Sequence, residues 1–244
     1  MNRYRADLHI HTVLSPCGDL SMSPHNILEH AARKSIDIIG IADHNSTLQG
    51  QIIADLSGRY GITVLCGAEV TSMEEAHCLC FFPENKLTEF QSYLDKHLIK
   101  YPNDPDKLGY QVVVDAEEQI LQQLDYSLFT SLDQSIDQIS QKVHELGGIF
   151  IPAHINKSRF SLLSQLGFIP EDLNEDALEI SFHTTKEKFT NEYPILHDKT
   201  FIQSSDAHYP EDIGKIHTLF KMNNRSFDEI KQALHNKNGR NIYI

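Results

Sequence analysis

Six separate stretches of this chain run apolar and each delivers a histidine or carboxylate at or beside the run's end, and this recurrence constrains the fold more than any other feature. They are Asp7-Leu8-His9-Ile10-His11, Ile41-Ala42-Asp43-His44, Cys66-Gly67-Ala68-Glu69, His77 opening Cys78–Phe82, Ile149–Ala153 before His154, and Thr200–Ser205 before Asp206 and His208. Polar groups emerging from buried strands need partners, because burying them unpaired is costly. Side chains alternate along a strand, so Asp7, His9 and His11 are expected on one face, as are Asp206 and His208. The same alternation sets His77, Leu79 and Phe81 apart from Cys78 and Cys80, which makes the two cysteines core residues. Glu69 is the right residue type to bridge two cations. His25, His30, His97, His144, His197, His217 and His235 fall elsewhere and read as solvated or helix-end residues; His183 reads as structural.

The apolar runs are brief and alternate with amphipathic stretches. Strands are expected at Tyr4–Leu8, Asp37–Ala42, Ile62–Leu65, His77–Phe82, Gly148–Pro152, Ala177–Ser181, Thr200–Ser204 and Ile216–Met222, short enough for buried parallel strands. Helix starts are signalled by Ser23-Pro24, by Ser131 with Gln134 and by Ser226 with Glu229, and Gly147 closes one helix. Repeated strand–helix units over about 250 residues predict an α/β barrel or a doubly wound sheet, and the C-terminal strand ends of a barrel converge on one cavity. Residues 100–130 interrupt the rhythm and predict an inserted β-hairpin turning at Asp115–Glu118. The simplest partition is one domain over 1–244.

The chain carries 21 Lys+Arg against 34 Asp+Glu, a net charge of −13, which argues against long nucleic acid as a partner. No apolar run approaches the ~20 residues of a membrane helix, so no membrane partner is expected. The four cysteines without a secretory signal suggest free thiols and a cytoplasmic location.

The ordered set Asp-Leu-His-Ile-His-Thr, Ala-Asp-His-Asn, Gly-Ala-Glu, Pro-Ala-His and Ser-Asp-Ala-His resembles the PHP (polymerase and histidinol phosphatase) superfamily, from the first strand to about residue 214. A group of stand-alone PHP proteins shares the His11–Asp19 opening and the Leu166–Pro170 segment. The resemblance implies an α/β fold, a distorted (βα)7 TIM-like barrel, here with the hairpin insert, and a cluster of two or three divalent ions (Zn, Mn or Fe). One ion would lie among His9, His11, Glu69 and Asp206, and a second among Glu69, His77 and His154. A third would take His44 and His208, with Cys17 or Asp19 completing it. The implied activity is hydrolysis of a small phosphate ester, a phosphomonoester or nucleotide, by water activated between bridged ions. His208 would assist the leaving group, Asp43 would orient a ligand histidine, and Lys157 and Arg159 would bind substrate phosphate. The alternatives are an amidohydrolase-type metal hydrolase, disfavoured by a glutamate at the bridge, and a non-catalytic PHP module, disfavoured by the filled ligand positions and the lack of a partner domain.

Overall fold

The computed structural model describes residues 1–244. Strand β1 (Asn2–Ile10) leads to α1 (Pro24–Arg33), β2 (Ile38–His44), α2 (Gly50–Ser57), β3 (Thr63–Thr71), β4 (His77–Phe82) and α3 (Leu87–His97). A short α4 (Pro105–Leu108) and strands β5 (Val112–Val114) and β6 (Ile120–Gln123) follow. The remainder is α5 (Ile136–Glu145), β7 (Ile149–Pro152), α6 (Leu162–Leu166), β8 (Leu178–Glu179), α7 (Lys186–Glu192), β9 (Phe201–Ile202), β10 (Thr218–Met222), α8 (Phe227–Leu234) and β11 (Asn241–Tyr243). No helix is long and apolar enough to cross a membrane.

The main sheet has seven strands in the order β11-β10-β1-β2-β3-β4-β7. It is mixed. The pairs β1–β2 and β2–β3 are parallel, whereas β1–β10, β3–β4 and β4–β7 are antiparallel. The expected parallel strand–helix repeat is therefore met only in part, because β3 and β4 join as a hairpin with no helix between them. Strands β8 and β9 pair in parallel outside the main sheet. Backbone bonds span the gaps on both sides. Asp176 N donates to Phe150 O (2.9 Å), Ile155 N to Glu179 O (2.8 Å), and His11 N to Ala207 O (3.0 Å). The result is an α/β half-barrel curled around one interior.

Alternation sorts the apolar residues onto two faces. Ala6, Leu8, Ile38, Leu65, Leu79, Phe81, Ile149 and Ile151 pack inside the curl. Ile10, Ile39 and Ile41 face α1 and α2, while Cys78, Cys80 and Phe150 pack among residues of α3 and α5. All four cysteines are free. One departure matters. The β1–β2 register slips between Asp7 and Ile10, and such a bulge turns side chains to a new face. Asp7 thus leaves the face of His9 and His11; it accepts bonds from Ser205 N (2.9 Å), Ser205 Oγ (2.6 Å) and Gly214 N (2.7 Å), which tie down the segment after β9.

Local signals hold unevenly. Ser226 caps α8 by accepting from Glu229 N, and Gly147 closes α5 at φ 77°. Helix α5 starts four residues later than the Ser131/Gln134 pair suggests, because the capping box is Ser135 with Gln138. Leu132 is instead held in extended pairing, its amide bonded to Thr71 O at 2.9 Å. The hairpin turns at Asp115–Glu118 as expected: Glu118 N reaches Asp115 O, and Asp115 Oδ1 accepts from Glu117 N and Gln119 N. Val112 and Val114 bury against Val13, whereas every residue of β6 is exposed.

Below the sheet, buried Asp176 accepts from Phe150 N (2.7 Å), His144 Nε2 (3.1 Å) and His235 Nε2 (2.7 Å). The helix-end histidines of α5 and α8 are thereby fastened to the start of β8. Burial would push the Asp176 carboxyl up, but the bonds from His144 and Phe150 outweigh it and hold it below its ordinary value of 3.8. Asp176→Ala is expected to lower stability by about 2–4 kcal/mol in urea denaturation, by stranding these donors. A folded value below the unfolded one means the contribution is present above pH 3.8 and is lost as pH falls through the folded value. The gap between wild type and variant should therefore close only below pH 3.8.

Candidate metal centre

At the end of β1 the bulge leaves His9 and His11 both pointing into the mouth of the curl. His44 ends β2, Glu69 lies near the end of β3, and His77 opens antiparallel β4. His154 follows β7, and Asp206 and His208 follow β9. His154 (φ 28°) and Asp206 (φ 53°) hold left-handed backbone conformations. For residues other than glycine this costs about 1–3 kcal/mol each and recurs where function demands a direction.

These side chains meet around Glu69. Its Oε1 lies 2.9 Å from His77 Nδ1, 3.1 Å from His154 Nε2 and 3.3 Å from His9 Nε2. Its Oε2 lies 3.1 Å from His44 Nδ1 and 3.5 Å from His11 Nε2. Asp206 Oδ1 stands 3.4 Å from both His9 and His11 and 3.3 Å from His208. Four overlapping groups place their donor atoms within 4.8 Å of one another: His9–His11–Asp206, Glu69–His77–His154, His11–His44–Glu69 and His11–Cys17–His208. Cys17 thus joins the cluster, whereas exposed Asp19 turns away to bond Ser21. His44 and His208, expected at one ion, fall in different groups, and each lies close to His11, with ring centroids 4.7 and 4.3 Å from it.

Outer hydrogen bonds orient the rings. His9 Nδ1 lies 3.0 Å from Glu179 Oε2, which also accepts the His154 amide at 2.9 Å. His11 Nδ1 lies 3.0 Å from Ser15 Oγ, and that hydroxyl donates to Asp43 Oδ1 at 2.7 Å. Asp43 therefore reaches a histidine only through Ser15, and it also accepts the Thr12 amide and hydroxyl. Burial pushes the Asp43 carboxyl up to about 6 against these bonds. Glu179 escaped the sequence reading. The available signal was a carboxylate amid Ala177–Ser181, on the face opposite Leu178 and Ile180, both of which pack in the outer core.

The donor set suits divalent cations. With their Nδ1 atoms committed to Glu179 and Ser15, His9 and His11 present Nε2 atoms to each other at 3.2 Å, a contact that only a proton or a cation can satisfy. His44 Nδ1 and His77 Nδ1 are buried, and although each lies close to a Glu69 oxygen, neither contact has the geometry of a hydrogen bond. Burial pushes His11 down to about 4 and His44 well below the usual range, which leaves neutral rings with free lone pairs. His9 also feels burial, but Glu179, Asp206 and Glu69 outweigh it and hold its proton well above the usual range. Glu69 would likewise be raised by burial, yet the surrounding imidazoles, His77 foremost, hold it well below.

The cluster floors a cavity of about 550 Å³. Lys157 and Arg159 both line it, and Lys157 Nζ pairs with Asp206 Oδ2. His183 lines it as well.

Residues 193–238, which include Asp206 and His208, match the PHP-associated family model. The uncharacterized protein YqxK of Bacillus subtilis is 26% identical over 99% of this chain and 64% of its own length. The chain spans 46–64% of the length of the curated relatives it matches. The lesion-specific endonuclease PfuEndoQ of Pyrococcus furiosus shares the fold at TM-score 0.75 and 19% identity, over 99% of this chain and 58% of the other. A Bifidobacterium adolescentis protein assigned to the metal-dependent phosphoesterases does so at TM-score 0.63 and 18% identity, over 94% and 95% of the two chains. Endonuclease Q is also known bound to a 27-mer duplex substrate with an abasic lesion at the active site (TM-score 0.73, 19% identity, 98% of this chain and 58% of that one). This overturns the exclusion of long nucleic acid. Net charge sums the whole surface, whereas a strand's phosphates meet only a local field that bound cations and nearby lysine and arginine can reverse. Residues 193–238 thus carry the PHP-associated match, the shared folds extend over nearly the whole chain, and the ordered motifs gather around Glu69.

Proposed function

We propose that the chain is a metal-dependent phosphoesterase, on the support of one observation above others: five imidazoles divide between the two oxygens of one buried carboxylate. That division suits a glutamate shared by two cations. His77 and His154 would hold one ion with Glu69, and His9, His11 and Asp206 would hold its neighbour, with His9 between the two because its Nε2 approaches both Glu69 Oε1 and Asp206 Oδ1. His44 and His208 would serve a third, with Cys17 rather than Asp19 beside them. Zinc, manganese and iron all accept such mixed nitrogen and oxygen donors. Divalent ions bound there would supply Lewis acidity and would make hydroxide available as a nucleophile at neutral pH.

The chain's own groups do the rest. Lys157 and Arg159 would hold phosphate oxygens at the cavity wall. His208, partly exposed beside Asp206, would pass a proton to the leaving oxygen. Glu179 and the Ser15–Asp43 pair would keep His9 and His11 in the tautomer whose Nε2 faces inward. The ester would be carried by a small phosphorylated molecule or by a nucleic-acid strand, and the likeness to endonuclease Q supports the second.

The test is metal analysis with an activity screen. Protein reconstituted with each of the three metals should hold about two or three ions per chain. It should release phosphate from a phosphomonoester or cut an abasic duplex, lose turnover to a chelator and regain it on reloading. A chain that binds no metal and hydrolyses neither substrate would end the proposal.

A further inference from the structure

Two exposed phenylalanines border the candidate centre. Phe160 is 42% exposed and Phe129 46% exposed, and both line the cavity above the histidine cluster. The Phe160 ring lies parallel to His77, with centroids 4.9 Å apart and planes 10° from each other. Phe129 lies 5.5 Å from His44, and His44 lies 5.2 Å from His77. The four rings follow one another along one side of the candidate centre.

Both are held in place from within. Buried Asn45 donates through Nδ2 to the carbonyls on either side of Phe129, those of Leu128 (2.9 Å) and Thr130 (2.8 Å), and its Oδ1 accepts Thr71 N. The Leu128 amide is fixed in turn by buried Gln111. Phe160 O accepts the His77 amide at 2.9 Å, while Phe160 itself sits at φ 55°. A left-handed conformation disfavours a bulky side chain and favours glycine. Here the strained position carries an exposed aromatic ring, next to Arg159 and within reach of the phosphate-binding wall.

We infer that Phe129 and Phe160 are specificity-determining residues that stack a planar heteroaromatic base attached to the phosphate ester, so that the substrate class is base-bearing: nucleotides or nucleic-acid strands. Exposed aromatic faces beside a cationic, phosphate-binding floor are the two halves of nucleotide recognition, and base–aromatic stacking tolerates any base. This rests on the phosphoesterase reading of the same cavity.

The test uses binding rather than turnover, so that failure of the two readings can be told apart. Phosphonate analogues, whose P–C bond resists hydrolysis, of adenosine 5′-phosphate and ribose 5-phosphate are titrated into metal-loaded protein. Wild type should prefer the adenosine analogue by about 5- to 150-fold, the equivalent of one base stack. Phe160→Ala or Phe129→Ala should collapse that preference and Phe160→Tyr should keep it. Phe160→Gly should lose the preference while raising Tm by about 2–4 °C through relief of the backbone. A second arm compares a ten-thymidine strand with its abasic counterpart. Preference confined to the strand assigns the base to nucleic acid, and preference for the mononucleotide assigns it to a small substrate; either supports base stacking. Equal binding of base-bearing and base-free analogues in both arms, or a preference that survives loss of both rings, overturns it, whether or not the enzyme hydrolyses anything.

Discussion

Glu69→Gln is expected to remove nearly all activity, with phosphoester hydrolysis falling by about 10²–10⁴-fold and metal content falling with it. The size follows from the position. Glu69 is buried, and His9, His11, His44, His77 and His154 all approach its two oxygens within 3.5 Å. Removing one partner from a buried charge pair costs about 3–5 kcal/mol, because the others are left uncompensated, and each 1.4 kcal/mol is tenfold. Glutamine keeps the shape but offers one oxygen and an NH₂ that points protons at imidazole lone pairs. Glu69→Asp keeps the charge but withdraws it by about one C–C bond, ~1.5 Å, and should recover part of the metal affinity. Metal content, turnover and circular dichroism measured together separate a lost site from a lost fold. Full metal occupancy with wild-type turnover in Glu69→Gln would sink the bridging role.

Glu179→Gln should cost about 10- to 100-fold in metal affinity, although Glu179 reaches the cluster only through other residues. Its carboxylate accepts from His9 Nδ1 and from the His154 amide, so one residue sets the direction of two candidate ligands. An amide in its place can donate to His9 Nδ1 and so stabilise the wrong tautomer, with the proton on the nitrogen meant for the cation. Competition against a metal-binding dye reads the loss directly. The loss should exceed that in Ser15→Ala, since a hydroxyl bond to His11 is weaker than a carboxylate bond to His9. Metal affinity within twofold of wild type would show that His9 needs no such partner.

Much of the fold and site was legible before any coordinates, for a local reason. Period-two alternation depends only on neighbours in the chain, and it correctly set Cys78 and Cys80 on the face opposite Leu79 and Phe81. The turn at Asp115–Glu118 and the cap at Ser226 are also neighbour effects, within three residues. The failures are long-range. Nothing near Asp7 announces the slip against β2 that turns it away from His9. Ser131/Gln134 and Ser135/Gln138 are equally good caps in sequence, and the pull of Leu132 into pairing with Leu98 and Thr71 chose between them. Antiparallel β4 and β7 follow from which edges meet, which strand composition does not encode.

The amino-acid order alone therefore determined the inventory of donors and the faces from which most of them project. Only the tertiary structure decided that Glu69 and His154, 85 positions apart, stand 3.1 Å from each other, that Glu179 backs His9, and that residues 100–130 return Phe129 to the cavity mouth. The reason is energetic. Each such juxtaposition is set by strand pairing and burial summed over the whole sheet, and a polar group gains its partner only after the apolar faces have closed around it.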